Sequence, residues 1–268
     1  MISETKSSIE QQIMARFFPA LCLILLILTA SCKKTTDRFE SDSPAEYMNL
    51  RTGKYIIYAL DSTRFVNFGQ KDTVIHYLAK DLVSDEMTDN LGRRAWKIIR
   101  YLRPLTSSES DWKVNMVYTV VPTEKSVEVI EHNLRFIKLE LPIKENFTWF
   151  GNAYLPNSPY SELYDFNAAD VGTGTWEYHY QNPGQELTIN GLRFPETVTV
   201  HQVDESKNLP LNLMDQNLAY QKYSVEQYAK GVGLIFKEVL LWEFQPGSTG
   251  SSGNRTGFGI RMSIVDHN

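Results

Sequence analysis

The feature that most constrains the fold is an alternation of apolar and polar residues with a period of two, repeated along most of the chain. Near the C-terminus, "GFGIRMSIV" sets Phe258, Ile260, Met262 and Ile264 on one side and Gly259, Arg261 and Ser263 on the other. "RFIKLELPI" does the same, with Ile137, Leu139, Leu141 and Ile143 against Lys138 and Glu140. Successive side chains of a strand point to opposite faces, so this pattern predicts strands with one dry face. Further strands are predicted at "KYIIYAL" from Lys54, "TVIHYLAKDLV" from Thr73, "AWKIIRYL" from Ala95, "WKVNMVYTVV" from Trp112, "SVEVI" from Ser126, "TWEYHY" from Thr175, "TVTVHQV" from Thr197 and "LIFKEVLLWEF" from Leu234.

Turn signals separate these segments: "TDNLGR" at Thr88 to Arg93, "NPG" at Asn182 to Gly184 and "NG" at Asn190 to Gly191. About ten strands with hairpin-like joins predict a mainly β fold. The expected architecture is a single antiparallel curled sheet, as a half-barrel or sandwich domain, after an N-terminal signal helix. No repeat of fixed period and no composition shift marks a second domain. The Gly/Ser-rich "QPGSTGSSGNRTG", Gln245 to Gly257, reads as a mobile loop between the last two strands. "SVEQYAKG" is ambiguous: Ser224 and Gln227 are spaced as in a capping box and Gly231 could end a helix, yet the segment is only two turns long.

The N-terminal region addresses the chain. The apolar run Phe17 to Leu28 is shorter than the roughly 20 residues a helix needs to cross a bilayer. It matches the apolar core of a secretory signal, with Arg16 before it and the small residues Thr29, Ala30 and Ser31 after it. Cys32 follows, and the arrangement resembles the lipobox of bacterial lipoproteins, departing from its commonest form in having Thr29 three residues before the cysteine. That resemblance implies cleavage before Cys32 and acylation of its thiol, with palmitate or a similar chain, and attachment to a membrane. Glu4 and Glu10 lie in a polar stretch unlike the start of a signal, so Met14 is the expected native start. Three regions follow: signal peptide 1–31, anchor cysteine and flexible tether 32–46, and a β-rich domain 47–268. The tether sequence "TTDRFESDSPAE" is polar and contains Pro44. Lys33 in place of an inner-membrane-retaining aspartate implies, by the same resemblance, the outer membrane, with the periplasmic or surface face left open.

Two cysteines, Cys22 in the signal and Cys32 at the cut, leave the mature chain no disulfide and no thiol chemistry. The charges of residues 1–31 cancel, so the mature chain keeps the net −5 and is not built to hold nucleic acid by its phosphates. "YAKGVGLIFKE", Tyr228 to Glu238, and the closing "SIVDHN" resemble segments of Bacteroidota lipoproteins and, more distantly, the late strand of LolA-like half-barrels that cradle lipid. The resemblance implies a family and not an activity.

Motifs of chemistry are weak. Gly231-Val232-Gly233 begins a dinucleotide fingerprint, but Phe236 stands at the third glycine and no helix follows, so a bulge or close backbone approach is expected. Asp81, Asp85, Glu86 and Asp89 lack EF-hand spacing and read as a solvated hairpin. His76, His132, His179, His201 and His267 are scattered singly, and neither a G-x-S-x-G elbow nor an S-x-x-K occurs. No catalytic, cofactor or metal residues are therefore assigned, and the expectation is a binding protein rather than an enzyme.

Aromatic residues make up 12% of the chain and concentrate in "FTWFGNAYLPNSPYSELYDF" and "TWEYHY". Trp149, Tyr154, Tyr160, Trp176 and Tyr178 are the candidate ligand-contacting residues; the plainer alternative is that such aromatics fill a core or cover the end of a curled sheet. The expected role is a lipid-anchored envelope module binding an apolar ligand such as lipid, or an envelope partner. The alternatives are a glycan-binding or carbohydrate-active component of a surface uptake system, or a structural envelope protein. Replacing Cys32→Ala should abolish labelling by radioactive palmitate in cells and leave the precursor uncleaved. Peptide mapping of that precursor should find nothing before Met14, and a peptide spanning Ile2 to Ile13 would refute the internal start.

Overall fold

The computed structural model describes residues 41–160 and 173–268. Cys32, the signal region, Tyr164 and Phe166 lie outside the described residues. The twelve strands are β1 (Tyr55–Val66), β2 (Lys71–Thr88), β3 (Arg94–Pro104), β4 (Lys113–Pro122), β5 (Ser126–Glu131), β6 (Leu134–Glu140), β7 (Thr148–Phe150), β8 (Glu177–Ile189), β9 (Leu192–Lys207), β10 (Ala219–Ala229), β11 (Gly233–Gln245) and β12 (Asn254–His267). They form one antiparallel sheet in the order β6-β5-β4-β3-β2-β1-β12-β11-β10-β9-β8-β7. Each predicted strand is present, and the sheet curls past a half-barrel until it is nearly a closed barrel.

Closure is visible where the two edges meet. The Ile137 amide of β6 donates to the Gly151 carbonyl just after β7 at 2.8 Å. Trp149 Nε1 donates to the Ile137 carbonyl at 2.8 Å, and the Tyr180 hydroxyl of β8 donates to the Glu140 carbonyl at 2.8 Å. Phe147, Trp149, Tyr178 and Tyr180 pack behind this seam with ring centroids 4.5 to 6.4 Å apart. A Cβ on Gly151 would lie 2.2 Å from the Tyr178 ring, so the backbone approaches that ring as only glycine permits.

Three local readings are settled by pairing. The ambiguous "SVEQYAKG" lies in β10, because its inward residues Ser224, Glu226 and Tyr228 are all buried and alternate with period two. "NPG" is not a hairpin turn: β8 runs through it, advancing from Gln181 to Gln185 while β9 moves only from Thr199 to Thr197. Asn182 and Gly184 take φ of 53° and 79°, absorbing the extra residues as a bulge. "NG" does close the β8–β9 hairpin, with φ of 50° and 81° at Asn190 and Gly191, as a primed turn requires. Gly231 and Gly233 also have positive φ at the β10–β11 turn, and a Cβ on Gly233 would stand 3.1 Å from the Ile56 side chain.

In β6 the simple alternation fails. Phe136 opposes Val129 and Leu139 opposes Val127, leaving Lys138 as the extra residue of a bulge. The sequence pattern places Ile137 and Leu139 inside and Lys138 outside with Glu140; in the structure Leu134, Phe136 and Lys138 are buried in alternation, Ile137 is half-buried, and the bulge brings Leu139 in beside Lys138. Around the inner face, Tyr58, Leu139, Leu241, Met262 and Ile264 are essentially inaccessible.

The ends of the barrel are tied by specific contacts. At one end Tyr47 is buried, its hydroxyl donating to Asp42 at 3.2 Å, and Lys230 pairs with Asp42 at 2.7 Å. At the other, Gln70 Nε2 donates to Ser252 Oγ at 2.8 Å and the Gly253 amide donates to the Leu213 carbonyl at 2.8 Å. These bonds knit three loops together, including the Gly/Ser-rich one. There, Gly69 has φ of +74° and a Cβ on it would fall 2.0 Å from the Arg255 carbonyl oxygen. At Gly92 the φ is +75° with nothing within 4 Å. Gly92→Ala should therefore cost about 1 kcal/mol of backbone strain, and Gly69→Ala clearly more. Urea denaturation of both variants checks this, and equal losses would refute the close approach.

Candidate functional site

The register that builds the barrel also places charges inside it. Residues directly opposite on neighbouring strands share a face. Asp81 of β2 opposes Arg100 of β3, and Glu226 of β10 opposes Lys237 of β11, which opposes Met262 of β12. Arg100 forks onto Asp81 with two bonds of 2.6 Å, and the Tyr118 hydroxyl donates to the same carboxylate at 3.0 Å. From β6, Lys138 Nζ reaches Glu226 Oε1 of β10 at 2.8 Å, across the lumen. The other Glu226 oxygen accepts from Gln202 at 2.9 Å and from the Tyr228 hydroxyl at 2.8 Å, and Ser224 donates to Gln202 at 2.6 Å. Lys237 lies 3.5 Å from Glu226 and 3.8 Å from Glu131.

These groups form a polar partition through an otherwise apolar lumen. Buried charges are tolerated when they are paired and hydrogen-bonded, and this network meets that condition. Burial pushes the Glu226 carboxyl up, but Lys138 and Lys237 together with the bonds from Lys138 and Tyr228 outweigh it and hold the pKa at about 2. Burial also opposes charge on Glu131, yet Lys237, Lys138 and Arg100 leave its pKa below the usual carboxylate value. For Lys237 burial favours the neutral amine, and Glu131 and Glu226 overcome it, so the ammonium is retained. Tyr118 and Tyr228 are pushed well up by burial first and by the adjacent carboxylates second, so they stay neutral donors.

The partition separates two spaces. On the Tyr47 side is a small void of about 70 Å³ that touches Met48, Leu50, Ile56 and Val83. On the other side is a cavity of about 670 Å³. Its walls include the apolar Leu60, Leu102, Phe136, Phe258, Ile260 and Met262 and the polar Ser62, Thr63 and Asn115, and Arg100, Glu131 and Lys237 line both spaces. Glu131 and Lys237 keep 20% and 17% of their side chains accessible, which the buried Lys138–Glu226 pair does not. The larger cavity falls within the roughly 300–1,000 Å³ of small-molecule sites.

The candidate aromatics go to different places. Trp149 and Tyr178 are buried at the seam, and the Tyr178 hydroxyl donates to Asn152 at 2.6 Å. Tyr160 lines the larger cavity and packs edge-on against Phe258, centroids 5.6 Å apart. Tyr154 is 60% exposed. Trp176 is buried beside a second groove of about 580 Å³ that also touches Glu177, His179, His201, Asp204 and Lys222. His179 and His201 oppose each other across β8 and β9 with rings stacked at 5.4 Å, and burial, then His179, pushes the His201 pKa down. Among the described residues no group of three or more His, Cys, Asp or Glu side chains is arranged to hold a metal ion. The acidic run divides: Asp85, Glu86 and Asp89 pair on the β2–β3 hairpin with Lys97, Arg94 and Arg93, while Asp81 turns into the lumen.

Residue-type reasoning left Arg100, Glu131, Lys138, Glu226 and Lys237 unassigned. A signal existed for some of them. Arg100 stands in register with Ile98 and Leu102, Lys237 with Val239 and Leu241, and Asp81 with Ala79 and Val83, each a charge on the dry side of an alternating strand.

The sequence matches no protein-family profile, and no curated protein matches it. Among solved structures, a Bacteroides fragilis protein described as exported and as having a YmcC-like fold aligns with 82% of this chain and 98% of its own, at 8% identity and a TM-score of 0.31. Among the described residues no helix is long and apolar enough to cross a membrane.

Glu226 is the carboxylate shared by Lys138 and Lys237, so Glu226→Gln should destabilise the protein by about 3 kcal/mol or more at pH 7. The folded pKa near 2 lies below the usual 4.5, so this stabilisation is complete above pH 4.5 and is lost as pH falls toward 2. Urea denaturation at pH 7 and at pH 3 should show the gap between wild type and variant narrowing in acid. Equal stabilities at pH 7 would refute the role of the carboxylate.

Proposed function

We propose that this chain is an exported, lipid-anchored protein of the bacterial cell envelope, held at the outer membrane through acylated Cys32. It acts by binding and not by making or breaking bonds. Its ligand carries a long apolar part and enters the larger cavity on the far side of the polar partition from Tyr47. The membrane is reached through the lipid on Cys32, and nucleic acid is not a partner.

The observation that carries the binding reading is the cavity itself. A cavity of about 670 Å³, walled in part by Leu60, Leu102, Phe136, Ile260 and Met262, has the size of a small-molecule site and a substantial apolar lining. Interiors are otherwise packed at crystal-like density, so a space of this size is room for a ligand. The small residues Thr29, Ala30 and Ser31 before Cys32, after a 12-residue apolar run, support export and anchoring. The absence of cysteine from residues 33–268 leaves no thiol there to oxidise in an exported compartment.

The test is native mass spectrometry of the mature polypeptide from Lys33 to Asn268, exported behind a cleavable signal and purified without detergent. The expected result is an added mass of a few hundred daltons that leaves on denaturation and is replaced by lipid supplied in solution. An apo mass that takes up none of a lipid panel would overturn the reading. Uptake of soluble oligosaccharide instead would favour a glycan-binding component.

A further inference from the structure

The partition between the two spaces is balanced in charge: Arg100, Lys138 and Lys237 face Asp81, Glu131 and Glu226. Four of these six are fully engaged. Arg100 and Asp81 share two bonds of 2.6 Å. Lys138 and Glu226 meet at 2.8 Å, with Gln202 and Tyr228 completing the carboxylate. The remaining two, Lys237 and Glu131, stand 3.8 Å apart, too far for a hydrogen bond between them; Lys237 is also 3.5 Å from Glu226, and both line the larger cavity. Beside Arg100, which Asp81 neutralises, the floor of the cavity therefore presents one cation and one anion side by side without a hydrogen bond between them.

A ligand head arriving at that floor meets a neutral sum. A carboxylate would pair with Lys237 but stand beside Glu131, and an ammonium would pair with Glu131 but stand beside Lys237. Either brings one uncompensated charge into a site screened little by water. A hydroxyl has no such conflict, because it donates to the Glu131 carboxylate and accepts from the Lys237 ammonium at once. The other ionisable groups lining the cavity are Arg100, whose charge is answered by Asp81 at 2.6 Å, and Tyr77, Tyr160, Arg64 and His132. Arg64 and His132 are exposed at the mouth, where water screens them. We infer that the larger cavity selects amphiphiles with an uncharged, hydroxyl-bearing head, of the monoacylglycerol or glycolipid class, bound head-first against Glu131 and Lys237. This rests on the reading of the cavity as the ligand site.

The experiment compares three probes with the same twelve-carbon chain, monolauroylglycerol, laurate and dodecylammonium, each below its micellar concentration. Calorimetry or native mass spectrometry with the mature polypeptide at pH 7.5 should show monolauroylglycerol binding at least about tenfold more tightly than either ion. Glu131→Gln leaves the floor with a surplus positive charge and should raise laurate affinity about tenfold, while Lys237→Met should do the same for dodecylammonium. A gain for one ion and not for the other cannot come from a variant that merely fails to fold. Wild type preferring laurate or dodecylammonium would overturn the inference, as would an order of affinities unmoved by either variant. Wild type binding none of the three would instead overturn the cavity reading on which the inference rests.

Discussion

A wide sheet with one apolar face has two problems, a dry surface to cover and two edges with unpaired amides, and this chain answers both by curling the sheet onto itself. Everything else follows from the closing of β6 against β7. The pairing there is short, so side chains complete it: the indole of Trp149 and the hydroxyl of Tyr180 bond the β6 backbone, and stacked rings exclude water behind them. The β7 strand has three residues, too few to hold an edge by ladder bonds alone. The aromatic richness of the segment around it has this structural use, and only Tyr160 of the candidate ligand contacts reaches the main cavity.

Closure puts distant strands face to face across a lumen. The polar partition is what occupies its middle. Lys138 and Glu226 are 88 residues apart in sequence and bond across the barrel. A fully satisfied buried network of this kind fixes the relative register of β6, β9, β10 and β11, because a slip by one residue would strand a charge. It also gives the cavity a chemically defined floor. Within one network, Lys138 and Glu226 are buried and bonded to each other, while Lys237 and Glu131 line the larger cavity.

Most strands were legible because their evidence is local. A period of two over five to eleven residues needs no knowledge of neighbours, and "GFGIRMSIV" lies in β12 with the expected residues inward. The failures have local causes too. Ser224 and Gln227 imitate a helix cap, but Ser224 is engaged by Gln202 on the next strand. "NPG" has turn chemistry, and β8 uses it for a bulge. Lys138 was hidden because a bulge shifts the phase of β6 between Phe136 and Leu139, so both Lys138 and Leu139 are buried, and no single-strand pattern reveals a bulge whose partner is unknown. For the site, the charges on the dry side of β2, β3 and β11 were visible as exceptions, whereas their mutual neutralisation was not.

By itself the sequence determined the class of fold, the strand segments and the expectation of export, since these rest on residue periodicity and on a contiguous N-terminal pattern. Only the tertiary structure decided how far the sheet curls, that aromatics seal its seam, and which charges meet inside it. The physical reason is distance along the chain: a strand's two faces are set by adjacent residues, but a cavity and its floor are made by side chains that meet only once the barrel has closed.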